Sequence, residues 1–138
     1  MDVTRLERSD FFLKFNGNAP VNVADRERFE GEAGFRLPDE YAAFLHRSNG
    51  GEGFIGQNAY VILWRLDELT EMNKAYQVNE YAPGLFIFGS DGGGEAYAFD
   101  IRTSAMPIVS VPFVGMDLSL AIVVALTFDG FLEALSKI

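Results

Sequence analysis

Reactive side chains are scarce in this chain, because its 138 residues include one histidine and no cysteine. Without cysteine there is no thiol nucleophile, no disulfide framework and no thiolate metal site. No serine lies in a nucleophile-elbow motif that could work with His46, and one histidine alone does not make a zinc site. His46 lies near the carboxyl end of a predicted helix, where a cation is favoured, so we expect a structural role for it.

Carboxylates are the remaining candidates, and two of them flank a glycine-rich loop. Asp91 and Glu95 enclose residues 92–94, and the loop has neither a lysine nor the spacing of a nucleotide-binding motif. With Asp100 they could hold a divalent cation, although the calcium-loop pattern is absent. The same three with Glu52 could supply two acids for glycoside hydrolysis, but the sequence does not give their separation. The other interpretation is a hairpin turn whose glycines leave bare backbone that another chain can approach closely.

Acidic side chains outnumber basic ones by 20 to 11, which gives the chain a net charge of -9. Nucleic acid and anionic membranes bind cationic surfaces, so this balance argues against both as partners. The negative charge is concentrated in residues 51–100, which hold eight acidic and two basic groups. We therefore expect a protein partner to be basic. A solvated face that keeps the protein soluble is the alternative that composition leaves open.

The expected compartment follows from the absence of targeting signals in the sequence. The first ten residues carry charges where a secretory signal would need an apolar run. The longest uncharged stretch, residues 103–116, is shorter than the roughly 20 residues of a membrane span and is broken by Pro107 and Pro112. These features predict a soluble, cytoplasmic protein.

Capping residues and apolar positions at helical spacing predict four helices. Asn22 or Asp25 caps the first, Pro38 takes the first helical position of the second, and Tyr76 belongs to the buried stripe of the third. The helices are expected at about residues 24–33, 38–48, 67–76 and 127–135.

Four strands are predicted between the middle and the end of the chain. They are residues 60–64, buried on both faces, residues 85–88, residues 95–101 with alternating burial, and residues 108–111 at a sheet edge. Residues 11–15 fit a short helix as well as a strand, and residues 116–125 are a turn or a short last strand. Helices cluster at the N-terminal side and the end with hairpin-linked strands between them, which indicates an α+β class.

Three segments carry a family resemblance when they are taken in order. The first, residues 24–51, holds Leu-Pro-x-x-Tyr-x-x-Phe-Leu and Asn-Gly, matched by Leu37, Pro38, Tyr41, Phe44, Leu45, Asn49 and Gly50. The second, residues 85–100, is an apolar strand, a glycine-rich turn and a strand that ends in Asp100. The third, residues 125–135, is Ala-x-x-Phe-x-x-Phe-Leu, matched by Ala125, Phe128, Phe131 and Leu132. Over about residues 22–135 the chain resembles the SUKH superfamily, which includes fungal Smi/Knr-type regulators of cell-wall synthesis and bacterial immunity proteins of polymorphic toxin systems.

The resemblance implies a single α+β domain with one curved, mostly antiparallel sheet packed by N-terminal, middle and C-terminal helices. Residues 22–138 would form this domain, and residues 1–21 would form an N-terminal appendage that packs on it. The resemblance also implies no catalytic centre and no cofactor, and binding of a partner protein.

The leading hypothesis is a non-enzymatic immunity protein that neutralises a cognate bacterial toxin, such as a nuclease, by direct binding. A nuclease is basic where it meets phosphate, so an acidic inhibitor can steer toward that surface and cover it. The residues expected at the contact are Glu52, Tyr60, Asp91, Gly92, Gly93, Gly94, Glu95 and Tyr97. Two alternatives stay open: a regulatory or scaffold module of the Smi/Knr type linked to cell-wall synthesis, and a carboxylate-based hydrolase.

Overall fold

One curved antiparallel sheet of seven strands organises the computed structural model, which describes residues 11–138. The strands lie across the sheet in chain order. They are Lys14–Gly17 (β1), Gly51–Ile55 (β2), Ala59–Leu63 (β3), Leu85–Ser90 (β4), Glu95–Asp100 (β5), Ile108–Pro112 (β6) and Ile122–Ala125 (β7). The α-helices of the described residues are Val23–Ala33 (α1), Asp39–Leu45 (α2), Leu69–Ala75 (α3), Val78–Tyr81 (α4) and Phe128–Ser136 (α5). This arrangement confirms the predicted α+β class.

The helix boundaries follow from their capping residues. Asn22 is the N-cap of α1, and its side chain accepts a hydrogen bond from the Asp25 N–H at 2.8 Å. Thr127 caps α5 in the same way through the Gly130 N–H at 3.0 Å. Pro38 was predicted at the first helical position of α2 but is its N-cap residue, so the helix begins one residue later, at Asp39. The side chains of Asn22 and Thr127 each satisfy a backbone donor that the first turn leaves free, which typically contributes about 1 kcal/mol, whereas Pro38 makes no such hydrogen bond.

An aromatic core lies under α2 and α5, and it joins the three segments that carry the family resemblance. Tyr41 of α2 packs edge-to-face with its ring centroid 5.0 Å from that of Phe99 and 5.3 Å from that of Phe128. Phe88 lies 4.4 Å from Phe99 and 5.6 Å from Phe131, again between ring centroids. All five rings are at most 1% exposed. Burying each one contributes about 1.5–3 kcal/mol relative to leaving it in water, so these residues serve the fold.

The helices α3 and α4 interrupt the meander between β3 and β4. Only Ile62 and Leu63 of β3 pair with β4, so most of β4 has no strand beside it on that side within the described residues. The Asn73 side chain of α3 fills part of this gap. It accepts from the Ile87 N–H at 2.8 Å and donates to the Ile87 carbonyl at 2.9 Å, as a neighbouring strand would. A single side chain therefore satisfies both backbone groups of this residue.

Three predictions about the strands are wrong, one about the position of a strand in the sheet and two about burial. The strand predicted at an edge, β6, lies between β5 and β7, and its prolines flank or end the ladder instead of interrupting it. Alternating burial was expected in β5, but Ala96 and Ala98 are as buried as Phe99, because both faces of this strand are covered. In β3 the reverse holds, since Tyr60 and Ile62 are only half-buried.

The strand β2 was not predicted, because its sequence GEGFI has the glycines of a turn. Gly53 has φ +144°, and a Cβ there would collide with the Lys14 carbonyl oxygen of β1. Glycine therefore serves the close approach of two strands at this position. The same pairing makes β1 an outer strand of the sheet. From the sequence alone, residues 11–15 fit a short helix as well as a strand.

Some predictions concern residues at the margins of the fold. Residues 1–10 of the predicted appendage lie outside the described residues. Tyr76, predicted to be buried, is 39% exposed and packs its ring 4.6 Å from that of Phe113. Within residues 11–138, every helix is too short or too polar to cross a bilayer.

Candidate functional site

The glycine-rich loop between β4 and β5 is built by the side chain of Asp91. Its Oδ1 accepts hydrogen bonds from the Gly93 N–H at 2.8 Å and from the Glu95 N–H at 3.2 Å. The Asp91 N–H in turn donates to the Glu95 carbonyl at 3.1 Å. The loop is therefore a closed hairpin turn, and Gly92, Gly93 and Gly94 at its tip are all exposed. We call residues 91–95 together with Glu52 and Tyr60 the loop end.

Tyr60 connects the loop to the outer strands of the sheet. Gly92 has φ +81°, and a Cβ there would lie 2.7 Å from Cδ2 of the Tyr60 ring. Only a glycine therefore lets the loop tip rest on this ring. The Tyr60 hydroxyl donates a hydrogen bond to Glu52 across the β2–β3 pair. This hydrogen bond raises the pKa of Tyr60 above its ordinary value. Glu52, Tyr60 and Gly92, named separately from the sequence, thus lie together.

Tyr97 does not join them at the surface. It is 8% exposed and packs its ring 4.8 Å from that of Phe131 of α5. Burial raises the pKa of Tyr97, and the negative charges of Asp91 and then Glu95 raise it further. Tyr97 is therefore a buried group that responds to the field of the loop carboxylates, and its expected role as a surface contact has no exposed ring to support it.

The loop-end carboxylates have no cationic partner. Glu52, Asp91 and Glu95 form no ion pair with any residue in 11–138, whereas other acids of the same half of the chain do. Asp67 pairs with Arg65 at 3.1 Å, and Asp100 with Arg102 at 2.8 Å. The negative charge predicted from composition is therefore uncompensated at the loop end.

An open cleft of about 620 Å³ adjoins the loop end on the face of β1 to β3 that carries Glu52 and Tyr60. Phe54, with its ring 5.3 Å from that of Tyr60, and Trp64 supply apolar lining. Lys14, Arg65 and Glu68 supply charges of both signs. The cleft therefore offers shape and aromatic surface next to the exposed glycines.

The cation hypothesis placed Asp100 with the loop carboxylates, and Asp100 was also one of the four acids from which the pair for hydrolysis could be drawn. Asp100 ends β5 while Glu95 begins it, so the two lie about 17 Å apart along the strand. Arg102 also engages both oxygens of Asp100, at 2.9 and 2.8 Å, and holds the pKa of that carboxyl below its usual range. Within residues 11–138, no three histidine, cysteine or acidic side chains come together in a way that could hold a metal ion. The set proposed for a cation is thus not assembled.

His46 belongs to a different network, which joins α1 to α2. Arg26 donates from Nε to His46 Nε2 at 3.0 Å, and His46 Nδ1 lies 2.8 Å from the Val21 carbonyl. Since a guanidinium only donates, Nε2 must accept and Nδ1 must carry the proton. His46 therefore joins Arg26 of α1 and the Val21 carbonyl to the end of α2. Glu30 completes the network by accepting from Arg26 and from the Leu37 N–H, both at 2.8 Å.

The fold and the loop end can now be compared with known proteins. Residues 20–134 match the model of the SMI1 / KNR4 family (SUKH-1), and the chain belongs to this family. The match confirms the resemblance noted in the sequence and includes every loop-end residue. No curated protein matches the chain.

Proposed function

We propose that this chain is a non-enzymatic immunity protein that binds a cognate bacterial toxin through its loop end. The partner we infer is a toxin domain with a basic substrate-binding surface, of which a nuclease is the case that charge favours. The proposal rests on one observation above all. Three carboxylates without an ion-pair partner among residues 11–138 surround an exposed run of glycines.

Electrostatics supports a basic partner. A chain with a net charge of -9 attracts a cationic protein over distances near the Debye length, and uncompensated carboxylates concentrate that attraction at one place. Burial is the larger cause of the raised pKa of the Tyr97 hydroxyl, and the negative charges of Asp91 and Glu95 raise it further. Charge of this kind raises association rates and selects partners more than it raises affinity.

Shape supports a protein partner. Gly92, Gly93 and Gly94 present backbone without side chains, so another chain can approach the loop tip closely. The adjoining cleft offers the rings of Tyr60 and Phe54, and aromatic side chains are enriched at the centres of protein interfaces. Acidic groups beside a glycine loop repel phosphate, so the same geometry disfavours a nucleotide ligand.

The direct test is co-expression with any toxin domain that a neighbouring gene encodes. We expect the chain to restore growth and to co-purify with the toxin domain as a complex. A chain that neither rescues growth nor binds any neighbouring toxin domain contradicts the proposal. Stable association with cell-wall synthesis proteins in the same pull-down would instead support the regulatory alternative, which the family match equally allows.

The chain itself also supplies a test for hydrolysis. The double variant Asp91→Asn and Glu95→Gln keeps hydrogen-bonding side chains of the same size and removes both carboxylates. If rescue of growth required hydrolysis by these acids, the variant would abolish it at any expression level. We expect rescue to persist when the variant is expressed in excess, because binding is weakened and no chemistry is lost.

A further inference from the structure

The strand β7 forms the second outer edge of the sheet, and it is both apolar and exposed. Ile122 and Val123 are 67% and 60% exposed, and Leu120 and Leu126 beside them are 49% and 74% exposed. Within residues 11–138 no strand pairs with the outer side of β7. In the part of the chain that the structure describes, its outward backbone N–H and carbonyl groups have no strand beside them and could pair with another strand.

This edge lies in the least charged part of the chain. Between Arg102 and Asp129 the only charged residue is Asp117. Its carboxylate is engaged locally, since Oδ1 accepts from the Ser119 N–H at 2.8 Å and from the Ser119 hydroxyl at 2.7 Å. The strand sequence IVVA itself carries no charge, so pairing of two copies along β7 adds no like-charged side chains from the strand.

The opposite edge of the sheet differs in one feature that prevents pairing. Both edge strands have four residues, but in β1 the side chain of Lys14 is exposed. A charged residue, particularly lysine, is a usual device that keeps an edge strand from pairing with another molecule. The sequence IVVA of β7 has no such charge. A β-bulge at Val124 interrupts its inner pairing with β6, but Ile122 and Val123 keep regular partners.

We propose that β7 pairs antiparallel with β7 of a second copy of this chain, with a two-fold axis near Ile122. A two-fold arrangement brings the same uncharged side chains together on both faces of the joined sheet. A basic partner is less suited to this edge, which offers it no opposite charge. The contact is short, so we expect a weak dimer with a dissociation constant on the order of 100 µM.

The test is sedimentation equilibrium of the full chain over about 1 µM to 1 mM, a range that brackets the expected constant. We expect the average mass to rise toward twice the monomer mass as concentration increases. Val123→Lys places a cation on each copy at the edge and should raise the dissociation constant at least about tenfold. The matched control is Val23→Lys on α1, the same substitution at a residue that is 52% exposed. It should leave the dissociation constant of the dimer unchanged.

A second measurement needs no variant. Hydrogen exchange of the wild-type chain should slow with concentration at residues 121–123 and stay constant in β1. A chain that remains monomeric to 1 mM, or a dimer equally sensitive to both substitutions, overturns the proposal. Failure here leaves the toxin-binding proposal intact, because that proposal depends on the loop end and not on β7.

Discussion

Two groups of carboxylates in this protein have opposite relations to the fold. At the junction of α1 and α2, Glu30 is largely buried, and its two carboxylate oxygens accept hydrogen bonds from Arg26 and from the Leu37 N–H. At the loop end, Asp91 shapes its own turn, but Asp91, Glu95 and Glu52 have no cation to balance them among residues 11–138. Carboxylates are thus paired inside the fold at the first place and have no cation beside them, among residues 11–138, at the second. We propose that the second group serves a partner.

The largest effect is expected from breaking the buried group. Glu30→Ala removes the hydrogen bonds that Glu30 accepts from Arg26 and from the Leu37 N–H, and it leaves Arg26 without its ion-pair partner. We expect a loss of about 2 kcal/mol in the free energy of unfolding, measured by urea denaturation. Glu27→Ala, at an exposed position of the same helix, is the control and should change stability by less than about 0.5 kcal/mol. If Glu30→Ala and Glu27→Ala lowered the free energy of unfolding equally, Glu30 would have no special structural role and the contrast with the loop end would fail.

Asp100 provides an intermediate case, because its partner Arg102 is half-exposed. Asp100→Ala should cost about 1 kcal/mol near neutral pH, after allowance for solvent screening of the pair. The pKa of Asp100 is lowered from 3.8 by Arg102, so its contribution is fully present above pH 3.8. That contribution is lost as pH falls through the folded-state pKa. Unfolding curves of the wild type and the variant should therefore converge in acid, and a constant difference down to pH 2 would contradict this account.

A smaller effect on folding is expected at the loop end. The triple variant Glu52→Gln, Asp91→Asn and Glu95→Gln keeps the hydrogen-bonding groups and removes three charges. We expect its free energy of unfolding to stay within about 0.5 kcal/mol of the wild type, because no ion pair is lost. A loss of about 2 kcal/mol would place these carboxylates with Glu30 as structural groups.

The smallest effect is a change in one titration. Removing the charges of Asp91 and Glu95 should lower the pKa of Tyr97, while burial keeps it above the ordinary value of 10. The ring carbon shift of Tyr97, followed by NMR from pH 8 to pH 12, measures it. The paired control Glu27→Gln and Glu32→Gln on α1 should leave the Tyr97 pKa unchanged.

The sequence predicted the α+β class and the hairpin of the glycine-rich loop, and it limited the cap of α1 to Asn22 or Asp25, because these features depend on local chemistry. Neither β2 nor the burial of β5 was predicted from it. Glycines in β2 are explained only by the strand that approaches them, and Ala96 is buried by elements distant in the chain. In the candidate site, Glu52, Tyr60 and Gly92 were named from residue type, but the contact between Tyr60 and Gly92 depends on strand register. The alternating pattern of β5 placed Tyr97 on one face of the strand. It did not show that Phe131 of α5 covers that ring.

The central claim is that location, and not net charge alone, makes the loop-end carboxylates a binding surface. It is tested most directly by the association rate of the chain with its cognate toxin domain at low salt. The loop-end triple variant is compared with a control of equal net charge, Glu27→Gln, Glu32→Gln and Glu80→Gln, whose wild-type residues are all exposed. We predict a rate about tenfold lower for the loop-end variant and within about twofold of wild type for the control. Equal rates for the two variants would contradict the account.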